Sequence, residues 1–120
     1  MGMPSDQAIK TDVTEVDELT VLEQLAELPI SRWRYRSEAR GARHIGPMAQ
    51  DFHAVFGLGD SDTVIYPVDA NGVSLAAAKA LRTRLTRAEA RVAALEHENA
   101  DLRHRLEALE RRVDQARHGG

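Results

Sequence analysis

The sequence of 120 residues contains no cysteine, which rules out disulfides and thiolate zinc sites. It also has no run near the roughly 18 apolar residues that a membrane span needs. The N-terminal residues lack the basic and apolar regions of a signal peptide. We expect a soluble chain whose small globular part is stabilised by assembly with other copies, because no covalent staple is available.

The formal net charge is only -3, which gives no general reason to expect a nucleic-acid or membrane partner. The charges are nevertheless unevenly distributed. Acidic side chains dominate the first segment, at Asp12, Glu15, Asp17, Glu18, Glu23 and Glu27. Arginines dominate the next segment, at Arg32, Arg34, Arg36, Arg40 and Arg43. We expect these two oppositely charged segments to face each other.

The sequence also lacks a phosphate-binding loop and a glycine-rich dinucleotide fingerprint, so no nucleotide cofactor is expected. His44 and His53 have no third ligand at a regular spacing, and His97 and His104 belong to the exposed side of a long helix. A metal site requires a cluster of ligands. We therefore interpret these four histidines as surface or structural residues, and we predict no metal and no cofactor.

The first predicted helix covers residues 17–28, where apolar side chains recur at helical spacing. Asp17 is suited to the N-cap, and Pro29 ends the helix. Trp33 and Tyr35 then alternate with arginines, which is the period-2 pattern of a strand with one buried face. We expect a helix followed by a strand whose aromatic side chains lie in the core.

A second helix is predicted over residues 48–56, and Gly57 is its natural stop. Residues 64–68 resemble a strand, which Pro67 keeps at the edge of a sheet. Residues 69–72 (DANG) are expected to form the turn after it. The predicted fold class is α+β, with a small head of short helices and strands followed by a long C-terminal helix.

From about Ala78 to Ala116 the apolar residues recur at alternating steps of four and three, which is a strict heptad repeat. The d positions of this predicted seam are Leu81, Ala88, Leu95, Leu102, Leu109 and Ala116, and the a positions are Leu85, Val92, Asn99, Leu106 and Val113. A helix packed on its own globular domain does not need such regularity over about 55–60 Å. We predict a parallel coiled coil between several copies of the chain.

The charges that flank the seam favour a parallel, in-register assembly. Each g position then meets the e position of the next heptad on a neighbour, which gives the opposite-charge pairs Arg84–Glu89, Arg91–Glu96, Glu98–Arg103 and Arg105–Glu110. The third pair is reversed in sign and falls in the heptad of Asn99. A slip by one heptad would therefore bring like charges together. Asn99 and the reversed charge pair thus both specify the register.

The number of helices in the coil is open to two interpretations. Asparagine at an a position with leucine at d favours a dimer. Residues 91–96 and 105–110 instead resemble the arginine-to-glutamate motif of short trimeric coiled coils. In that motif an arginine stem covers the seam while its guanidinium group pairs with a glutamate of the next chain. We favour the trimer and keep the dimer as the alternative.

Four sequence motifs resemble those of one known family. They are residues 5–10 (SDQAIK), 28–33 (LPISRW), 44–51 (HIGPMAQD) and 68–69 (VD), in this order before a long helix. The pattern resembles the intramolecular chaperone domain of phage tailspikes and endosialidases, the peptidase S74 family. The resemblance extends from residue 5 to about residue 85 and implies a C-terminal helical trimer. It also implies that the domain helps an upstream fibre or spike protein to trimerise and then cuts itself off.

By the same resemblance Ser5 is the nucleophile, Lys10 is its base, and the bond between Pro4 and Ser5 is cleaved. A hydroxyl needs a base to take its proton, and a lysine amine can serve when burial or nearby positive charge lowers its pKa. Lys10 and Lys79 are the only lysines among sixteen basic residues, and arginine cannot act as a neutral base. The implied activity is that of a single-turnover, self-cleaving Ser-Lys endopeptidase.

These interpretations divide the chain into four parts. Residues 1–4 are a remnant before the cleavage point or an added start, and residues 5–74 are the chaperone head. Residues 75–117 form the coiled-coil helix, and residues 118–120 are a disordered tail. The expected setting is a phage tail or the bacterial cytoplasm. One alternative is a non-catalytic oligomerisation module in which the dyad is silent. A nucleic-acid-binding dimer is a third hypothesis, since the arginine row of residues 32–36 could contact phosphate, but the acidic chain has no other nucleic-acid motif.

Overall fold

The computed structural model describes residues 3–119. Its elements in chain order are a 3-10 turn at Gln7–Ile9, helix α1 at Glu18–Glu27, strand β1 at Ser31–Trp33, strand β2 at His44–Gly46, helix α2 at Ala49–Phe56 and helix α3 at Pro67–His118. The prediction of short helices and strands followed by a long C-terminal helix is confirmed. The chain divides into two units, Met1–Leu81 and Arg82–Gly120, and α3 contributes to both.

Helix α1 begins where the sequence predicts. Asp17 is its N-cap, and the carboxylate accepts hydrogen bonds from the hydroxyl and the backbone N–H of Thr20 at 2.8 and 3.4 Å. These hydrogen bonds favour the ionised form and lower the pKa of the Asp17 carboxyl, and the bond from the hydroxyl has the larger effect. The helix ends at Glu27, and the buried Leu28 follows it directly before Pro29.

Strands β1 and β2 form a two-stranded antiparallel sheet in which Arg32 pairs with Ile45 and Trp33 with His44. The sequence predicted a strand at β1 but extended it too far, and β2 was not predicted. The rings of Trp33, Tyr35 and His44 contact one another, with centroids 4.7 to 5.2 Å apart. Tyr35 is still 54% exposed, so the prediction that it lies in the core is wrong.

Helix α2 occupies the predicted position. Phe52 is buried, and its ring centroid lies 5.0 Å from that of Phe56. Gly57 caps the helix in the left-handed region, with φ 63°, and its N–H donates to the His53 carbonyl at 2.8 Å. Glycine suits this position because it has no Cβ to clash in that conformation.

Helix α3 begins at Pro67, earlier than expected. The predictions of a strand over residues 64–68 and of a turn over residues 69–72 are therefore wrong. Proline is well tolerated at the first helical position, where no N–H donor is needed and its fixed φ suits the helix. The Tyr66 carbonyl accepts the Asp69 N–H at 3.0 Å, which starts the hydrogen-bonding pattern.

Tyr66 also holds the loop between α2 and α3. Its hydroxyl donates to the Asp60 carboxylate at 2.8 Å. This hydrogen bond, with the negative charge of Asp60, raises the pKa of the Tyr66 phenol. The ring also lies close to Gly59, where an added Cβ would come within 3.2 Å of it. The loop is thus fixed by a polar contact and by close packing against one side chain.

The core of the first unit is small. Five apolar residues of the described chain are buried, namely Leu28, Phe52, Val73, Ala77 and Ala80. The cluster of Leu28, Phe52 and Val73 joins the end of α1 to α2 and α3. Gln24 on α1 also donates a hydrogen bond to the Val55 carbonyl on α2 at 3.2 Å. So few buried side chains give limited stability, because a small domain buries only part of its surface.

The second unit consists mainly of the C-terminal part of α3. Along residues 82–119 no side chain is buried, and the large seam residues are exposed by between 41% at Leu95 and 59% at Leu85. No helix in the described chain is both long enough and apolar enough to cross a bilayer. The open apolar row is compatible with a coiled coil, which remains a prediction.

Candidate active site

A single 3-10 turn brings the two predicted catalytic residues together. Asp6 opens the turn, and its carboxylate accepts a hydrogen bond from the Ala8 N–H at 2.9 Å. The Lys10 N–H then donates to the Gln7 carbonyl at 3.2 Å. Aspartate favours this geometry because its short side chain reaches a backbone N–H two residues further on. The turn thereby places Lys10 beside Ser5.

The dyad has the geometry of a nucleophile and its base. Lys10 Nζ donates a hydrogen bond to Ser5 Oγ at 2.6 Å. This lies within the range of about 2.6–3.2 Å over which a side chain can take a proton from a hydroxyl. The ammonium form of a lysine donates in such a contact, whereas the neutral amine accepts the hydroxyl proton across the same separation. The arrangement can therefore carry a proton from serine to lysine.

The dyad is open to solvent in the single chain. Pro4, Ser5 and Lys10 are all exposed. The apolar side chains of Ile9 and Val13 nearby in sequence are 64% and 79% exposed. A catalytic lysine works best where water is excluded, because low polarity favours the neutral amine. The chain by itself supplies the geometry of the dyad without enclosing it.

The structural roles of two aspartates in this segment were not predicted from the sequence. Asp6 caps the 3-10 turn, and Asp12 has φ 54°, in the left-handed region where aspartate is among the few tolerated residues. The signal for Asp6 was present, because an aspartate two positions before a free N–H is typical of a tight turn. Nothing in the sequence pattern distinguished Asp12 from the other acidic residues around it.

Of the four histidines considered in the sequence analysis, His44 and His53 have clear partners in the first unit. His44 Nε2 lies 2.7 Å from Glu38 Oε1, and His53 Nδ1 lies 3.1 Å from the Leu58 carbonyl oxygen. Both contacts tie a loop to a neighbouring element, as expected for structural histidines. Among residues 3–119 no group of three His, Asp or Glu side chains is placed to hold a metal ion.

The predicted seam residues lie along α3, and their contacts with other copies remain a prediction. Arg105, a residue of the predicted interchain pairs, has a partner within its own chain, since its Nε lies 3.3 Å from Asp101 Oδ2. Both side chains are more than half exposed, and exposed ion pairs of this kind contribute little. The contact therefore leaves Arg105 able to exchange Asp101 for Glu110 of a neighbour.

A comparison with known protein families finds a match in the first half of the chain. Residues 5–58 match the model of the peptidase S74 family, described as the chaperone of endosialidase. The match begins at Ser5 and includes Lys10, both strands and the two short helices. It confirms the resemblance found in the sequence and supports a chaperone role, whereas the heptad repeat lies outside it. A comparison with curated proteins gave no match.

Proposed function

We propose, on the basis of the family match of residues 5–58, that this chain is a self-cleaving intramolecular chaperone. It assists the trimerisation and folding of an upstream fibre or spike protein and then detaches from it. The observation that carries the proposal is the 2.6 Å contact between Lys10 Nζ and Ser5 Oγ. A family match alone leaves open whether this chain is active, and the contact supports an active dyad.

In the proposed reaction, neutral Lys10 accepts the hydroxyl proton of Ser5 while Oγ attacks the carbonyl carbon of Pro4. The C–N bond between Pro4 and Ser5 breaks as the C–O bond forms, and the Ser5 nitrogen leaves as an amine after receiving the proton. One water molecule then hydrolyses the ester, which releases the carboxylate of Pro4 and restores the Ser5 hydroxyl. Each chain reacts once, because Ser5 has become an N-terminus.

We place this reaction in the assembled protein. In the single chain both members of the dyad are exposed, and water stabilises a charged lysine. Packing of copies around the N-terminal segment removes that water and favours the neutral amine. The exposed side chains of Ile9 and Val13 supply apolar surface for such packing.

The proposed organisation assigns residues 5–74 to the chaperone head and residues 75–117 to a parallel coiled coil, most consistent with a trimer. The heptad repeat, its opposite-charge e and g positions, and the exposed seam of α3 support this assembly. A dimer is the alternative oligomeric state. On this proposal the protein acts in a phage tail or in the bacterial cytoplasm, with no cofactor, nucleic acid or membrane as a partner.

Intact-mass spectrometry tests the proposal when light scattering is measured on the same sample. An unrelated tag placed before Met1 makes the released fragment easy to detect. The wild-type chain should lose everything before Ser5, whereas Ser5→Ala and Lys10→Ala should stay whole with an unchanged oligomeric mass. Cleavage of the Ser5→Ala chain at the same bond would assign the cut to a contaminating protease and refute the proposal.

The second candidate function is a non-catalytic oligomerisation module. The exposure of Ser5 and Lys10 favours it, because the chain does not exclude water from the dyad. The same measurements separate the two candidates. A wild-type chain that forms trimers and yet remains whole would establish the module and exclude self-cleavage.

A further inference from the structure

One exposed apolar surface of the first unit is bordered by acidic residues. We name it the acidic face and define it by Val16, Val68 and Leu75 together with Glu15 and Glu18. The three apolar side chains are 61%, 59% and 67% exposed. Val16 lies between two hollows, one of about 380 Å³ that also involves Val68 and one bordered by Glu15, Glu18 and Leu75. An apolar surface with a polar border is typical of a protein interface.

A second exposed apolar surface is bordered by arginines. We name it the basic face and define it by Ile45 and Met48 together with Arg32 and Arg43. Ile45 and Met48 are 70% and 44% exposed, and both residues border a hollow of about 470 Å³. Arg32 is paired directly across from Ile45, so both side chains lie on the same face of the sheet. Arg43, two residues before Ile45, is also exposed.

These two faces lie at opposite ends of α2. The hollow of the acidic face includes Phe56 and Leu58 at the C-terminal end of that helix. The hollow of the basic face includes Met48 and Ala49 at its N-terminal end. Eight helical residues separate the two ends by about 12 Å. A single copy therefore cannot cover one of its faces with the other.

The charges of the two faces are complementary. The ion pairs that these residues form within the chain do not join one face to the other. Glu18 pairs at 3.3 Å with Lys79, a cation that borders the same hollow, so Glu15 supplies the remaining negative charge of the acidic face. Glu38, the acidic residue among the arginines, pairs with His44. Arg32 and Arg43 are exposed, and so is Glu15. The sequence predicts that the acidic and basic segments face each other, and a contact between two copies would bring them together.

We infer that the acidic face of one copy packs on the basic face of the next copy, and that repetition of this contact closes the first units into a ring. Such a contact joins two different surfaces, and it forms a closed ring when the rotation between copies is suitable. The inference rests on the proposed oligomeric function and adds to it a specific contact outside the coiled-coil seam. Faces at opposite ends of α2 suit a ring of more than two copies, because each copy then meets two neighbours.

A second copy fits the basic face better than nucleic acid does. The centre of the face is apolar, with Ile45 at 70% exposure, whereas phosphate recognition relies on clustered cations. The chain also carries a net charge of -3, which opposes binding to a polyanion. The acidic face of the same chain supplies both the apolar surface and the negative charge that the basic face requires.

Cysteine cross-linking tests the inference, because the natural chain has no thiol to interfere. In the full chain with Ser5→Ala, we would prepare Val16→Cys, Ile45→Cys and the variant with both. After oxidation, an equal mixture of the two single variants that has been refolded together should give covalent dimers on a non-reducing gel. Each single variant alone should remain uncross-linked. The double variant should give covalent trimers, in which every copy is joined to two others.

The outcomes separate this inference from the proposed function. Covalent dimers from Val16→Cys alone or Ile45→Cys alone would overturn it, because like faces would then meet. A trimer by light scattering that gives no cross-link between these positions would also overturn it while leaving the proposed function intact. A monomer by light scattering would refute the contact and the oligomeric proposal together.

Charge reversal provides an independent measurement that does not depend on thiol geometry. Glu15→Arg alone and Arg32→Glu with Arg43→Glu should each lower the thermal midpoint of the assembly, and all three changes combined should restore most of the loss. Asp62→Arg and Arg111→Glu are matched controls away from both faces and should have little effect. If reversing the two arginines left the assembly unchanged but abolished retention of duplex DNA at low salt, the basic face would bind nucleic acid and the inference would fail.

Discussion

Lys10 Nζ and Ser5 Oγ lie 2.6 Å apart, joined by a hydrogen bond across one 3-10 turn. If lysine acts as the base, an arginine at this position should keep the positive charge and lose the activity, because a guanidinium group does not give up its proton. We expect Lys10→Arg to slow cleavage by on the order of 10²- to 10⁴-fold. Intact mass followed over time measures the rate.

The matched control for this substitution is Lys79→Arg, which changes the only other lysine. Lys79 pairs with Glu18 on the surface, and arginine preserves that pairing. Cleavage at the wild-type rate in Lys79→Arg, with none in Lys10→Arg, would assign the proton transfer to Lys10. Equal rates in both variants would exclude Lys10 as the base.

Asp6 is predicted to act as a positioning residue for the dyad. Its carboxylate accepts the Ala8 N–H at 2.9 Å and so fixes the turn that carries Lys10 back to Ser5. Asp6→Ala should slow cleavage while leaving the oligomeric mass unchanged, because only the local turn loses its cap. Asp6→Asn keeps an acceptor oxygen and should retain most of the rate. If Asp6→Asn were as slow as Asp6→Ala, the carboxylate charge rather than the turn would be responsible.

Two glycines that differ in conformation provide a test of the fold. Gly57 has φ 63° at the end of α2, so Gly57→Ala should destabilise the protein by about 1 kcal/mol. Gly72 lies inside α3 with open space around its missing Cβ, so Gly72→Ala should stabilise it by about 0.5–1 kcal/mol. Thermal unfolding followed by circular dichroism at fixed protein concentration measures both. A destabilising Gly72→Ala would argue for the turn that the sequence suggested at residues 69–72.

The N-cap of α1 predicts a specific dependence of stability on pH. The folded pKa of Asp17 is lower than its ordinary value of 3.8, because the Thr20 hydroxyl and N–H bind the ionised carboxylate. The stabilisation is therefore complete above the unfolded pKa and is lost as the pH falls through the lower, folded pKa. Asp17→Ala should have a lower thermal midpoint than wild type at neutral pH, and the difference should shrink below the ordinary aspartate range. A difference that stayed constant down to such acidity would show that the charge of Asp17 is unimportant.

Local patterns in the sequence identified the elements whose formation depends on nearby residues. Asp17 with Pro29 fixed both ends of α1, and Gly57 fixed the end of α2, because capping chemistry acts over a few residues. The family resemblance, rather than a local pattern, predicted the pairing of Ser5 with Lys10, and the structure places the two side chains in contact. The 3-10 turn that joins them was not predicted, since short turns leave no periodic pattern.

Elements that depend on distant contacts were less predictable. Strand β2 has three residues and exists because it pairs with β1, so its own sequence (HIG) contains no strand signal. The start of α3 was misassigned because the β-branched side chains of Val64 and Ile65 favour a strand, while Pro67 suits either an edge strand or a first helical turn. The packing of Val73 with Leu28 and Phe52 favours the helix over the strand, and the local sequence does not reveal that contact.

If the proposed assembly forms, the exposed row of leucines and valines along α3 makes the stability of this protein depend on its own concentration. A fold that is completed by further copies gains free energy by mass action, so its melting temperature should rise with protein concentration. When copies are few, chains spend longer with that row uncovered and within reach of proteases or of other amphipathic helices. Synthesis of many identical chains close together should then favour the assembled state and so stabilise each chain.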